Sequence, residues 1–471
     1  MKLSLIPYPS SVIYFDGFTK ADAEIIKTTD SSIPKEGFRI QILDTITISA
    51  SDDAGFYYAD LLVGQIKFQC GQNLPNVTIE DAPKYKYRSF MIDCCRHFFD
   101  TDAVKQMIEY CAKLRFNVFH WHLTEDQGWR AEIKAYPELE KTGSTRFGSN
   151  FGKEQNNEPY SGFFTQDEMR EIVDFAHRHH MQVVPEIDMP GHSSALLASL
   201  PYLECSGRKV DLKTSPGIFN DIICAGKESS YETLYKILDE ICDIFPDEYI
   251  HIGGDEAPKQ QWKDCPDCQQ KIKDENLKDE EALQGYFINR IATYLMSKGK
   301  KVITWNESLK SGILNNDIII QEWMDTKGLG KKSPNNLIAS DYYHMYTDLP
   351  YEMIPLKKVY NYKTDINNNV IGSDIPIWTE FVYNTERMEY MCFPRFIAAA
   401  QSGWSKNKPA YPVFKAHLKE LLPWFDIKHC ADEQVWDPPA FSRLSGIMKH
   451  FGNFNLTEMV SNFFTNKKQE E

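Results

Sequence analysis

The amino-acid sequence predicts an α/β fold, a (β/α)8 TIM barrel preceded by a small α+β domain. Three observations carry that prediction. From residue 83 onward, eight short apolar runs alternate with stretches of helical periodicity. Before that point the pattern is different, with period-two alternation followed by a single helix-like stretch. Acids, histidines and tryptophans gather at the carboxyl ends of the apolar runs, where barrel enzymes keep their chemistry.

In residues 1–82, Phe38, Ile40, Ile42, Ile46 and Ile48 alternate as strands do. Tyr58, Leu61, Leu62 and Ile66 then follow at helical spacing across 54–68. Asp81, Ala82 and Pro83 punctuate the chain and end this unit. The predicted barrel, residues 83–428, takes its strands from 87–92, 117–122, 182–187, 248–252, 301–305, 317–321, 336–339 and 375–379. Helices are predicted between them, over 102–114, 166–179, 231–244 and 280–296. Residues 429–471 form a C-terminal helical extension, with a helical piece over 455–464, which packs on the barrel or joins a homo-oligomer.

Composition excludes several function classes. The 471 residues are 42% hydrophobic and 13% aromatic, as a globular protein requires. A net charge of -15, from 67 acidic and 52 basic residues, disfavours nucleic acid and anionic membrane surfaces and suits a neutral or cationic substrate. No segment approaches the roughly 20 apolar residues of a membrane span. Met1 to Ile6 is too short for a signal core before Pro7 and Pro9 interrupt it. The expected location is therefore cytoplasmic as the chain stands, with a removed export signal left open. Eleven cysteines, including the adjacent Cys94 and Cys95, are an odd and scattered set, better read as reduced thiols than as a disulfide framework. Cys265 and Cys268 have C-x-x-C spacing without a second such pair, so a loop with two thiols is expected rather than a zinc knuckle.

The chemistry centres on Gly253, Gly254, Asp255 and Glu256, at the end of the fourth predicted strand. Adjacent carboxylates repel, and desolvation worsens the repulsion unless one holds a proton while the other stays ionised. Acid/base catalysis needs that division. Asp93 and Arg96 follow the first strand, His120, His122, Glu125 and Asp126 end the second, and Asp188 and His192 follow the third. Trp305, Trp323, Tyr346, and Trp378 with Glu380 mark the last four. Flat apolar faces beside charged acceptors suit a sugar. Glycoside hydrolysis usually takes two carboxylates roughly 5 Å apart or more across the bond, which consecutive side chains are poorly placed to supply. One carboxylate can serve as acid while the other orients a nucleophile carried by the substrate.

The string from His251 to Glu256, HIGGDE, closely resembles the signature of family 20 glycoside hydrolases, the β-N-acetylhexosaminidases. RSFMIDCCRHF from Arg88, HWHLTEDQGWR from His120, EIDMPGHS from Glu186, TWNE from Thr304 and WTE from Trp378 are similar to other stretches of that family. Together they span most of residues 83–405, and IPYPSSV near the start resembles the family's leading domain. The resemblance implies an exo-acting, retaining hydrolase of terminal β-linked N-acetylhexosamine, with a glycan partner, no cofactor and no metal. It implies Glu256 as general acid/base, Asp255 as the group orienting the substrate acetamide, and Tyr346 as a hydrogen-bond donor to the acetamido oxygen. Trp305, Trp323 and Trp378 would enclose the sugar; Arg96, Asp348 and Glu380 would bind its hydroxyls. His192 would couple Glu256 to a buried acid. Glu125 stands where the family commonly has Asp and is followed by Asp126, so the partner of His192 stays open between the two. Gln401 replaces a usual Glu and is expected to serve helix packing.

Two other classes compete. A metal-dependent barrel hydrolase could use His120, His122, His192, His251 and Asp255. A non-catalytic glycan-binding protein would need to have lost its acid, whereas Glu256 is present.

Overall fold

The computed structural model describes residues 2–325 and 327–451. The leading unit is a five-stranded sheet in the spatial order Ser11–Lys20, Asn73–Asp81, Phe38–Ile42, Ile46–Ala50 and Ile25–Thr29. Phe38, Ile40, Ile42, Ile46, Ile48 and Ala50 point to one buried face, the alternation a half-covered sheet requires. Helix Asp53–Cys70 covers that face through Tyr58, Leu62 and Ile66, starting where the Asp52 side chain accepts from the Gly55 N–H at 2.8 Å.

Eight parallel strands then close into a barrel: Tyr87–Asp93, Val118–His122, Gln182–Glu186, Tyr249–His251, Lys301–Trp305, Ile319–Glu322, Leu337–Ala339 and Val370–Ile377. All eight predicted runs contribute a strand. The eighth begins five residues earlier than expected, because Gly372, Ser373 and Asp374 interrupt the apolar pattern. The helical layer includes Thr101–Lys113, Gln166–Arg178, Glu228–Ile244 and Glu280–Ser297, as their periodicity predicts. Each of the first two and the last starts on a side-chain cap: Asp100, Thr165 in a capping box with Glu168, and Asp279. The alternation weakens in the second half, where the fifth and sixth strands are followed by short turns, Asn306–Ser311 and Leu329–Lys332.

Tyr87, Val118, Val184, Tyr249, Ile303, Ile319 and Ile338 fill the lower interior, so the barrel is packed shut below and offers its space at the carboxyl end. Parallel pairing sets Asp93 beside His122, His122 beside Glu186, and Glu186 beside His251. That register places four polar side chains in one layer beneath the mouth. After the barrel, helix Tyr411–Phe425 leans back toward the leading unit, with Trp424 against Gly64. Short helices Glu433–Trp436 and Arg443–Phe451 follow; Trp436 is buried, and the predicted piece over 455–464 lies outside the described residues. Among the described residues, no helix is long and apolar enough to cross a membrane.

Candidate active site

Backbone geometry at the fourth strand explains the two glycines. Gly253 has φ of +64°, and a Cβ there would lie 1.6 Å from Asp188 Oδ1. Gly254 has φ of +103°, and its Cβ would meet Thr304 Oγ1 and Ser308 Oγ at 2.5 Å. A chain that leaves the strand under both constraints has no room for a side chain. Glu256 itself takes φ of +41° and His192 φ of +49°, the sparsely populated left-handed region. Strain of this kind persists where surrounding contacts enforce it. The Glu256 N–H donates to Glu307 Oε1 at 3.2 Å, one such contact.

A chain of charged contacts runs from the two carboxylates inward. His192 Nε2 lies 3.5 Å from Glu256 Oε2 and 3.8 Å from Asp255 Oδ2. On the other side of the ring, Nδ1 meets Glu125 Oε1 at 2.8 Å, against 3.4 Å to Asp126 Oδ2. Glu125 is therefore the hydrogen-bond partner; Asp126 Oδ1 instead accepts from the Ser194 N–H and hydroxyl at 2.9 and 2.6 Å. Glu125 Oε2 continues the chain to Arg96 Nη2 at 3.0 Å, and Arg96 reaches Asp93 at 3.2 Å and Glu380 at 3.8 Å.

Burial and neighbouring charge divide the acids into two groups. Burial pushes Asp255 up from 3.8 to about 7; His192 opposes the rise, and Glu256, Glu186 and Glu307 add to it. Asp348 is pushed up to about 8 by burial and by Glu380, and Glu380 is raised by burial against the pull of Arg96. Glu125 behaves oppositely: burial would raise it, but Arg96 and His192 hold it well below the usual carboxylate range. His192 is held protonated despite burial, by Glu125 and Asp255. Asp255, Asp348 and Glu380 are thus raised toward neutrality, while Glu125 beneath stays ionised.

Aromatic rings form the opposite wall. Trp305 and Trp378 lie 6.0 Å apart between ring centres, Tyr346 lies 6.2 Å from Trp378, and Trp323 stacks on Tyr346 at 6.2 Å. Asp255 Oδ1, Asp348 Oδ1, Trp323 Nε1, Trp378 Nε1 and His192 Nε2 are buried and have no hydrogen-bond partner among the described residues. Buried polar atoms are rarely left unpaired. Five on one mouth form a set of donors and acceptors matched to a polar ligand with apolar faces.

Every predicted site residue lies at this mouth, and the sequence reading missed the role of Glu186 beneath it. Glu186 Oε2 meets His120 Nε2 at 3.1 Å and His122 Nδ1 at 2.5 Å; Oε1 accepts from Trp305 Nε1 at 2.7 Å and lies 3.0 Å from His251 Nδ1. Its carboxylate therefore orients Trp305 and three histidines at once. The signal was present as four polar residues near strand ends, but their shared centre depends on register between strands. Donor atoms of four sets at the mouth each converge within 4.8 Å: His120, Glu186 and His251; Asp188, His192 and Asp255; Glu125, Asp126 and His192; and Asp93, Cys95 and His122. Burial would lower His120, but Asp374 and Glu186 outweigh it and raise the ring to about 9. Gln401 is buried on helix Arg395–Trp404 and accepts from the Tyr8 N–H at 2.9 Å, tying the leading IPYPSSV segment to the barrel.

Residues 85–407 match the model of the glycosyl hydrolase family 20 catalytic domain. The chain is 38% identical to a β-hexosaminidase of Porphyromonas gingivalis over 352 residues, 70% of this chain and 44% of that one. It is 31% identical to a β-hexosaminidase of Vibrio furnissii over 417 residues, covering 82% and 68% of the two chains. It thus spans less than half the length of the first relative and about two thirds of the second. Among solved structures, a β-N-acetylhexosaminidase from Bacteroides fragilis superposes with a TM-score of 0.79 at 30% identity, covering 90% of this chain and 96% of its own. An exo-β-N-acetylglucosaminidase from Vibrio harveyi, solved with N-acetylglucosamine, superposes at 0.81 and 26% identity, covering 92% and 79%. These matches do not favour a metal hydrolase or a bare binding module. The domain match spans residues 85–407, more than half of the chain and all of the barrel mouth, and so the chain belongs to glycosyl hydrolase family 20.

Proposed function

We propose that the enzyme removes a terminal, non-reducing, β-linked N-acetylhexosamine, GlcNAc or GalNAc, from glycans with retention of configuration, using the acetamido group of the substrate as nucleophile. The carrying observation is the pairing of consecutive Asp255 and Glu256 with a buried, unpartnered Asp255 oxygen beside the aromatic wall. Glu256 gives its proton to the glycosidic oxygen as the bond from that oxygen to the anomeric carbon breaks. The acetamido carbonyl oxygen bonds to the same carbon, forming an oxazolinium ion, and Asp255 accepts the hydrogen bond of the acetamido N–H. Water then attacks the anomeric carbon, its proton passing to Glu256, and the oxazolinium reopens to the sugar with its original configuration.

Tyr346 donates to the acetamido oxygen, and Trp305, Trp323 and Trp378 enclose the methyl group and ring. Arg96, Asp348 and Glu380 hold the hydroxyls of the terminal sugar. Burial opposes the charge of Arg96, but Glu125, Glu380 and Asp93 more than offset it, so the guanidinium stays cationic. His192 and Glu125 position Glu256 and link it to Arg96. Glu256→Gln is expected to lower kcat by about 10²- to 10⁴-fold, the usual worth of a positioned acid/base. The loss should shrink on aryl glycosides whose leaving group needs no proton. Turnover unchanged by that substitution would overturn the assignment.

A further inference from the structure

Four cysteines converge away from the barrel mouth. Cys205 follows the single turn Pro201–Leu203, and Cys224 follows Ile223, which bridges back to Glu204. Cys265 caps helix Pro266–Asp274, and Cys268 lies in its first turn. Cys224 Sγ is 3.6 Å from Cys268 Sγ and 3.8 Å from Cys265 Sγ; Cys205 Sγ is 4.0 Å from Cys268 Sγ. All four sulfurs fall within 4.8 Å of one another. Sulfurs bound tetrahedrally at about 2.3 Å from a central ion are themselves about 3.8 Å apart. Bonded pairs would instead be about 2.0 Å apart. The two-thiol loop expected from C-x-x-C spacing is therefore incomplete: two isolated cysteines from an earlier loop complete the set.

We propose that Cys205, Cys224, Cys265 and Cys268 hold one zinc ion in a closed tetrathiolate site. Two further features fit. A Cβ on Gly226 would lie 2.2 Å from the Asp267 carbonyl carbon and 2.4 Å from the Cys268 nitrogen, so a glycine lets the Cys224 loop reach the helix start. Three of the four cysteines are buried and Cys205 is partly exposed, which leaves the ion a route in. Four protein ligands with no open position make the site structural rather than catalytic.

The ion would close both ends of the loop between Cys205 and Cys224 and pin it to the segment that follows Glu256. That loop reaches the active site, where the Lys213 N–H donates to the Asp126 carbonyl at 3.0 Å and the Ser215 carbonyl accepts from Gln127 Nε2 at 2.9 Å. Loss of the metal should therefore loosen a wall of the mouth and raise KM more than it lowers kcat.

The test is metal analysis of the full chain, produced in medium containing both zinc and iron and purified under reductant without a metal-binding tag. About one zinc per chain is expected. A thiol-specific mercurial should release it, and cobalt substituted at the site should show the visible bands of a tetrahedral tetrathiolate. Cys224→Ser with Cys268→Ser should abolish zinc retention and lower Tm. Should that variant not fold, metal content and the cobalt spectrum of the unaltered protein still decide. Fewer than about one zinc in ten chains after incubation with zinc and reductant would overturn the proposal. So would iron in its place, or two disulfides among these four residues in the freshly isolated protein.

Discussion

At the scale of single residues, Asp255 makes a prediction separable from catalysis. Its carboxyl is pushed up by burial from 3.8 to about 7 in the folded chain. Such a group costs no stability where it is protonated in both folded and unfolded states, below its unfolded pKa of 3.8, and costs most above about pH 7, where both states are ionised. Asp255→Asn should therefore gain only a fraction of a kcal/mol over the parent protein near about pH 4 and on the order of 1 kcal/mol or more near about pH 8. Thermal melts at the two pH values check this; a gain of equal size at both would refute it. The placement of Asp255 and Glu256 at the barrel mouth was readable from their position after Gly253 and Gly254 at a strand end. The choice of Glu125 over Asp126 as the partner of His192 was not. It depends on which of two neighbouring acids is turned toward the ring and which toward Ser194.

At the scale of elements, the turn after the fourth strand works only without side chains. Gly253→Ala places a Cβ within 2.8 Å of three Asp188 atoms and forces alanine into φ of +64°. The expected cost is at least about 3 kcal/mol, read by chemical denaturation, with loss of activity because Asp255 and Glu256 move with the turn. Near-parental stability would contradict the geometry. The barrel strands were legible because burial on both faces makes continuous apolar runs. The hairpin of Thr145–Phe151 and Glu154–Ser161 was not, because its second strand, EQNNEPYS, is polar and half-exposed and lacks that signature. It docks through His97 Nε2 to Glu154 Oε2 at 2.7 Å and the Phe98 N–H to the Tyr160 hydroxyl at 2.6 Å, contacts between residues 57 and 62 positions apart.

At the scale of the whole molecule, the leading sheet and the barrel are joined by buried charge. Arg115 Nη1 meets Asp81 Oδ2 at 2.9 Å, Trp404 Nε1 donates to the same oxygen at 2.7 Å, and Arg88 Nη2 meets Glu36 Oε1 at 2.9 Å. Burial raises Asp81 and lowers Arg115, so desolvation outweighs their mutual attraction. The pair itself adds little, but removing one member strands the other. Asp81→Ala should cost about 3–5 kcal/mol, and the sheet and barrel should unfold together in one transition. A small loss, or two separated transitions, would show that the units stand apart. The change of pattern at Asp81, Ala82 and Pro83 was visible in the sequence, whereas these ties were not, since their partners lie 34 and 52 positions apart.

The central claim is that the substrate supplies its own nucleophile within this site. The most direct measurement compares hydrolysis of aryl β-GlcNAc, β-GalNAc and β-glucoside carrying one leaving group, with product configuration followed by NMR. Cleavage of an acetamido sugar with retention is expected, with a β-glucoside rate lower by orders of magnitude because the glucoside lacks the acetamido oxygen. Comparable rates on the glucoside, or an inverted product, would contradict it.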